Sequence, residues 1–121
     1  MTVLDDPLTV LRRLRENYGL TEDDVARATG ASLSAVRRWN KAAADEQPAR
    51  RANGYHEKID DLRSIIQILA SAYPSPEFVR VWLRSRSRLL GYERPIDVLA
   101  TRNGFARVAE AAHAAASGDY V

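Results

Sequence analysis

The chain contains no cysteine, which excludes disulfides, thiolate zinc sites and cysteine nucleophiles. Histidine is nearly absent as well. His56 and His113 lie far apart, and neither has a second histidine or a carboxylate at ligand spacing. Lysine is confined to Lys41 and Lys58, so arginine carries the positive charge. The net charge is only +2, too little for a polycation, and any nucleic-acid surface has to be a local patch. There is no glycine-rich phosphate loop, nucleophile elbow or dinucleotide fingerprint. The adjacent carboxylates Asp23/Asp24 and Asp60/Asp61 do not make an acid–base pair, because neighbours on a helix diverge by about 100°. Catalysis is not expected, nor is a metal or a cofactor. No apolar run approaches the length that spans a bilayer. The opening MTVLDDPLTV is acidic where a secretory leader is basic. The cytoplasm, with no membrane contact, is the expected location.

What is present is helical periodicity. With 121 residues, 45% hydrophobic and 28% charged, the chain suits one globular domain or two small helical lobes sharing a core. The stretch Thr21 to Lys41, TEDDVARATGASLSAVRRWNK, has the spacing of a helix-turn-helix. Ala26 suits a close crossing of two helices. Gly30, four residues on, ends the first helix in a left-handed turn that costs a glycine little. Val36 and Trp39 are one turn apart and face the core. Thr21 with Asp24 forms a capping box, and Ser32 caps the following helix. Ser32, Ser34, Arg37, Arg38 and Lys41 then point outward as donors of the kind that meet phosphates and base edges. A helical hairpin that touches nothing is the plainer alternative.

Around this unit the chain reads as all-α. Asp6 and Pro7 open a helix to about Tyr18, with Leu8, Leu11, Leu14 and Tyr18 on one face. Residues 42–54, with Pro48, Asn53 and Gly54, read as a linker in which Arg50 and Arg51 form an exposed basic pair. The boundaries drawn are 1–54 for the helix-turn-helix domain with its linker and 55–121 for a second helical domain. Its first helix buries Ile59, Leu62, Ile65, Ile66, Leu69 and Tyr73 and turns Asp61, Ser64, Gln67 and Ser71 outward. Ser75 and Pro76 start another, with Phe78, Val79, Trp82 and Leu83 inward and Glu77, Arg80 and Arg84 outward. Leu89 and Leu90 are expected to plug the core from an irregular stretch. Pro95 opens a short helix to about Ala100. Asn103 caps the last, whose stripe is Phe105, Val108, Ala109, Ala112 and Ala116. An alanine face requires close packing by another helix of this chain or by a partner. The cluster Arg80, Arg84, Arg86 and Arg88 reads either as a solvated face or as a docking surface for an acidic partner or DNA backbone.

The second half also resembles a known family. Trp82 in VWLRSRSRLLGYERPIDVLA, then Leu90-Gly91, Pro95 and Leu99, followed by Gly104, Phe105, Val108 and a terminal helix ending at Gly118, are similar to the toxin-binding domain of the MbcA/ParS/Xre antitoxins. Family members pair that domain with an Xre-like helix-turn-helix, as residues 7 to 41 do here. The chain departs from the pattern at Ser85 to Arg88, where the family often has proline and asparagine.

The resemblance implies a type II antitoxin whose partner is a RES-domain toxin that degrades NAD⁺. It implies that Asp119, Tyr120 and Val121 enter the toxin's active-site pocket, where an apolar-aromatic tip with a carboxylate fits a cleft built for phosphate. It also implies a homodimer within a larger hetero-oligomer and possible autoregulation through operator DNA. A stand-alone helix-turn-helix repressor and a purely structural interaction module are the rival readings.

Overall fold

A computed structural model of the protein describes residues 7–44 and 54–118. Its elements there are α1 (Pro7–Tyr18), α2 (Glu22–Thr29), α3 (Leu33–Ala44), α4 (His56–Ala72), α5 (Pro76–Arg84), α6 (Pro95–Leu99) and α7 (Gly104–Ala116), with a 3-10 turn at Arg88–Leu90. The described residues hold no strand, only an isolated bridge between Ser87 and Glu93. The fold is all-α, as the periodicity requires. Asp6, the N-cap expected for α1, and the linker arginines Arg50 and Arg51 lie outside the described residues.

The local signals act where the sequence places them. The Thr21 hydroxyl accepts from the Asp24 N–H at 3.1 Å, and the Asp24 carboxylate accepts from the Thr21 N–H at 2.9 Å. Both bonds satisfy donors that the first turn of α2 would otherwise leave open. Gly30 ends α2 with φ 77°, its N–H donating to the Ala26 carbonyl at 2.9 Å. Ser32 accepts from the Ala35 N–H at 3.1 Å, and Ser75 from the Phe78 N–H at 3.3 Å.

One core runs through both halves. α4 is its axis: Ile59, Leu62, Ile65, Ile66 and Leu69 are all buried, each contributing about 2 kcal/mol of burial. α1, α2 and α7 all pack against α4. Trp39 of α3, 2% exposed, meets Tyr55 at the start of α4 with ring centroids 5.1 Å apart. The alanine face of α7 is therefore covered by this chain's own α4. Its stripe is rotated from the expected one: Val108, Ala111, Ala112 and Ala115 are buried, whereas Phe105, Ala109 and Ala116 are half-buried. The Tyr73 hydroxyl donates to the Ala115 carbonyl at 2.9 Å and ties the end of α4 to the end of α7.

Three further expectations change. Leu90 is buried, but Leu89 is 50% exposed, because the 3-10 turn sends adjacent side chains in different directions. Asn103 precedes α7, yet its side chain makes no capping bond. Instead a turn closes there, with the Gly104 N–H donating to the Thr101 carbonyl at 3.2 Å. That turn accounts for Gly104: a Cβ at this position would lie 1.7 Å from the Val98 carbonyl oxygen. Asp61 and Ser64 are half-buried rather than fully outward.

Candidate functional site

The outer face of α3 is the first candidate surface. Ser32, Ser34, Arg37, Arg38 and Lys41 are all exposed, while Ala35, Val36 and Trp39 are buried beneath them. The face is braced from α2. Glu22 accepts from the Asn40 amide at 2.9 Å and lies 3.6 Å from the Arg37 guanidinium. The Ser32 oxygen accepts the cap bond with one lone pair, which leaves its hydroxyl proton and a second lone pair available. Leu33, at the first position of α3, is 37% exposed, and its apolar character among outward polar residues is the only mark the sequence carries of it.

The arginine cluster divides. Arg80 and Arg84, expected outward, reach back to the first half of the chain. Arg84 donates from Nε to the Asp24 carboxylate at 2.9 Å, with a second bond from Nη2 to the same group. This fork-to-fork geometry is the strong form of the pair. Asp24 itself is only 4% exposed. Burial pushes its carboxyl up, but the Arg84 bonds, the Thr21 N–H and the Arg84 charge together outweigh burial and hold it below the ordinary aspartate value. Arg80 donates to the Tyr18 carbonyl at 2.8 Å and lies over Gly19, where a Cβ would come 2.7 Å from its Nη1. The two arginines thus grip the end of α1 and the first turn of α2. Arg27 adds exposed bridges to Asp23 at 3.0 Å and Asp97 at 3.2 Å. Lys58 donates to the carbonyls of Leu99 and Thr101, each at 2.7 Å, closing the C-terminal end of α6. The remaining members, Arg86 and Arg88, are exposed on the loop after α5, and Arg86 donates to the Tyr92 carbonyl at 3.1 Å.

The carboxylate pairs serve structure. Asp24 is absorbed into the cap and the Arg84 pair, and Asp60 accepts from Arg63 at 3.1 Å. Burial, ahead of the opposing charge of Lys58, raises the Asp61 carboxyl. His56 and His113 are exposed. Among the described residues no group of three or more His, Asp or Glu could hold a metal ion, and no helix is long and apolar enough to cross a membrane.

Asp119, Tyr120 and Val121 lie outside the described residues. The last described residue, Gly118, has φ 87° and donates to the Ala115 carbonyl at 3.0 Å, so the chain leaves α7 beside the Tyr73–Ala115 contact.

Comparison with known proteins bears on what these surfaces meet. Residues 68–112 match the model of the antitoxin Xre/MbcA/ParS C-terminal toxin-binding domain. The chain is similar to the probable mycobacterial cidal antitoxin Rv3188 of Mycobacterium tuberculosis, with 33% identity over 104 residues, 86% of this chain and 83% of the relative. Its fold is similar to a chain in the crystal structure of the M. tuberculosis MbcT–MbcA toxin–antitoxin complex. That match has a TM-score of 0.72 at 24% identity and covers 98% of this chain and all of the other.

Proposed function

The chain belongs to the Xre/MbcA/ParS antitoxins of toxin–antitoxin systems, and from this we infer that it neutralises a RES-domain, NAD⁺-degrading toxin by occluding the toxin's active site. The observation that carries the inference is the toxin-binding-domain match across residues 68–112, which spans α5, the loop after it, α6 and most of α7. That region is built on α4 and hands the chain onward from the end of α7. Asp119, Tyr120 and Val121 follow directly and are the residues assigned to the toxin's pocket. An aromatic and an aliphatic side chain beside a carboxylate suit a concave site that binds a phosphorylated nucleotide. A homodimer within a larger hetero-oligomer, acting in the cytoplasm, is the working assembly. No catalytic role is assigned.

Co-expression with the toxin tests this. The full chain restores growth, and deletion of Asp119 to Val121 abolishes rescue while the helical circular dichroism and unfolding temperature stay unchanged. Full protection by the tail-less protein would exclude plugging.

A second activity is favoured by the α3 face, where Ser34, Arg37, Arg38 and Lys41 stand exposed on a buried Val36–Trp39 base. We assign it to operator DNA, as autoregulation alone or with toxin bound. A protein that represses its promoter but never rescues would instead be a stand-alone repressor.

A further inference from the structure

The loop between α5 and α6 is closed on itself. The Ser87 N–H donates to the Glu93 carbonyl at 3.0 Å, the Tyr92 N–H to the Ser87 carbonyl at 2.8 Å, and the Glu93 N–H to the Leu90 carbonyl at 3.2 Å. Leu90 anchors it in the core at 1% exposure, while Leu89 and Tyr92 stand out at 50% and 60%. Tyr92 is the one non-glycine residue with positive φ among the described residues, at 65°, directly after Gly91 with the same φ. L side chains avoid this region because Cβ crowds the neighbouring carbonyl oxygen. The turn closed by the Glu93 N–H and the Leu90 carbonyl requires positive φ at both of its central residues, and a glycine, asparagine or aspartate meets that requirement at less cost than the exposed aromatic that stands there. Val81, 55% exposed near the end of α5, is a further uncovered apolar group in the same stretch. Arg86 and Arg88 flank the loop. Arg86 is held by the Tyr92 carbonyl, and Arg88 is exposed and makes no ion pair among the described residues.

We propose that Leu89 and Tyr92, with Arg88 beside them, form a preset docking knob for the toxin, separate from the tail, which seats in an apolar depression bordered by carboxylates. This rests on the reading of the chain as a toxin-neutralising protein. Two observations favour the toxin over a second copy of this chain. The knob lies inside the stretch matched by the toxin-binding-domain model. A self-complementary contact through it would also bring Arg86 and Arg88 of one copy towards those of the other, and such like-charge pairing opposes association. Tail and knob then divide the work: the knob supplies affinity and the tail blocks the pocket.

The test measures equilibrium binding of the full chain to a RES-domain toxin encoded beside it, with unfolding temperature recorded for every variant. Tyr92→Gly is the informative variant, because it relieves the positive-φ strain and removes the side chain together. Its unfolding temperature is expected to hold or rise while toxin affinity falls at least tenfold. Leu89→Ser and Arg88→Glu should each weaken binding about tenfold, and deletion of 119–121 should leave affinity within a few-fold while abolishing neutralisation. Binding within twofold of the unaltered chain for Tyr92→Gly and Leu89→Ser overturns the knob and leaves neutralisation by the tail standing. Variants that turn a dimer into a monomer at unchanged toxin affinity assign the knob to self-association and also overturn it. Absence of binding by the unaltered chain removes the toxin reading itself, and the knob with it.

Discussion

Asp24 does three things with one side chain. It closes the capping box of α2, it faces the partial positive charge of that helix's first turn, and it receives the Arg84 fork. Removing the arginine leaves a buried carboxylate with one backbone donor. Breaking a fully buried pair costs about 3–5 kcal/mol. Because the Arg84 side chain is 44% exposed, solvent screening reduces the expected loss for Arg84→Ala to about 2 kcal/mol. The pH dependence has a definite sign. A carboxyl whose folded pKa lies below its unfolded value contributes stability that is complete above the unfolded value and is lost as pH falls through the folded one. The unfolding temperature of the unaltered chain should therefore decline below the ordinary aspartate range, and the gap between it and Arg84→Ala should narrow over the same interval. Thermal melts from pH 7 to pH 3 measure both. A gap that persists unchanged at pH 3 would mean that Arg84 acts by packing alone.

Elements with a local signature were readable in advance. Gly30, Thr21 with Asp24, Ser32 and Ser75 each act on residues three or four positions away, so their effect is written in the sequence around them. The stripe of α4 was legible because five large aliphatics repeat at helical spacing. The Arg84–Asp24 pair was not, since its partners are 60 positions apart and an arginine at that point of the helical repeat looks solvated. The exposure of Leu89 is not legible in the sequence because two adjacent leucines give no period, and the direction of each is set by the turn. The rotation of the α7 stripe has a similar origin: a helix in which seven of thirteen residues are alanine, on several of its faces, leaves its orientation to the neighbour it packs on. On α3 the outward set followed from Val36 and Trp39 facing in, and here the exposed arginines make a separable prediction. Arg37→Ala or Arg38→Ala should weaken operator binding by about 1–3 kcal/mol if that guanidinium reads a guanine. A uniform loss over all sequences with a shallower salt slope would assign it to a phosphate. Titrations at several salt concentrations distinguish the two. Because Arg37 is also near Glu22, the Arg38 result is the cleaner one.

At the scale of the molecule, the two halves share a core in which α4 supports α1, α2 and α7 alike. A chain built this way should unfold in one cooperative transition, with coincident curves from helical circular dichroism and from Trp39 and Trp82 fluorescence. Two separated transitions would show that the lobes are energetically independent. The same continuity places the α3 face and the loop carrying Tyr92 on a common frame, with the Arg84–Asp24 and Arg80–Tyr18 contacts between them.

Those two arginines have a consequence for engineering and for the exchange of modules between proteins. Both project from α5, yet what they complete belongs to the end of α1 and the first turn of α2, so residues 7–44 do not carry all of their own parts. A chimera that grafts residues 7–44 onto a different helical partner has to import cations where Arg80 and Arg84 stand. Without them it inherits an unpaired acid at Asp24 and an unsatisfied carbonyl at Tyr18. Exchanges in the first half of this protein are therefore better confined to the exposed side of α3 than made by cutting at residue 54.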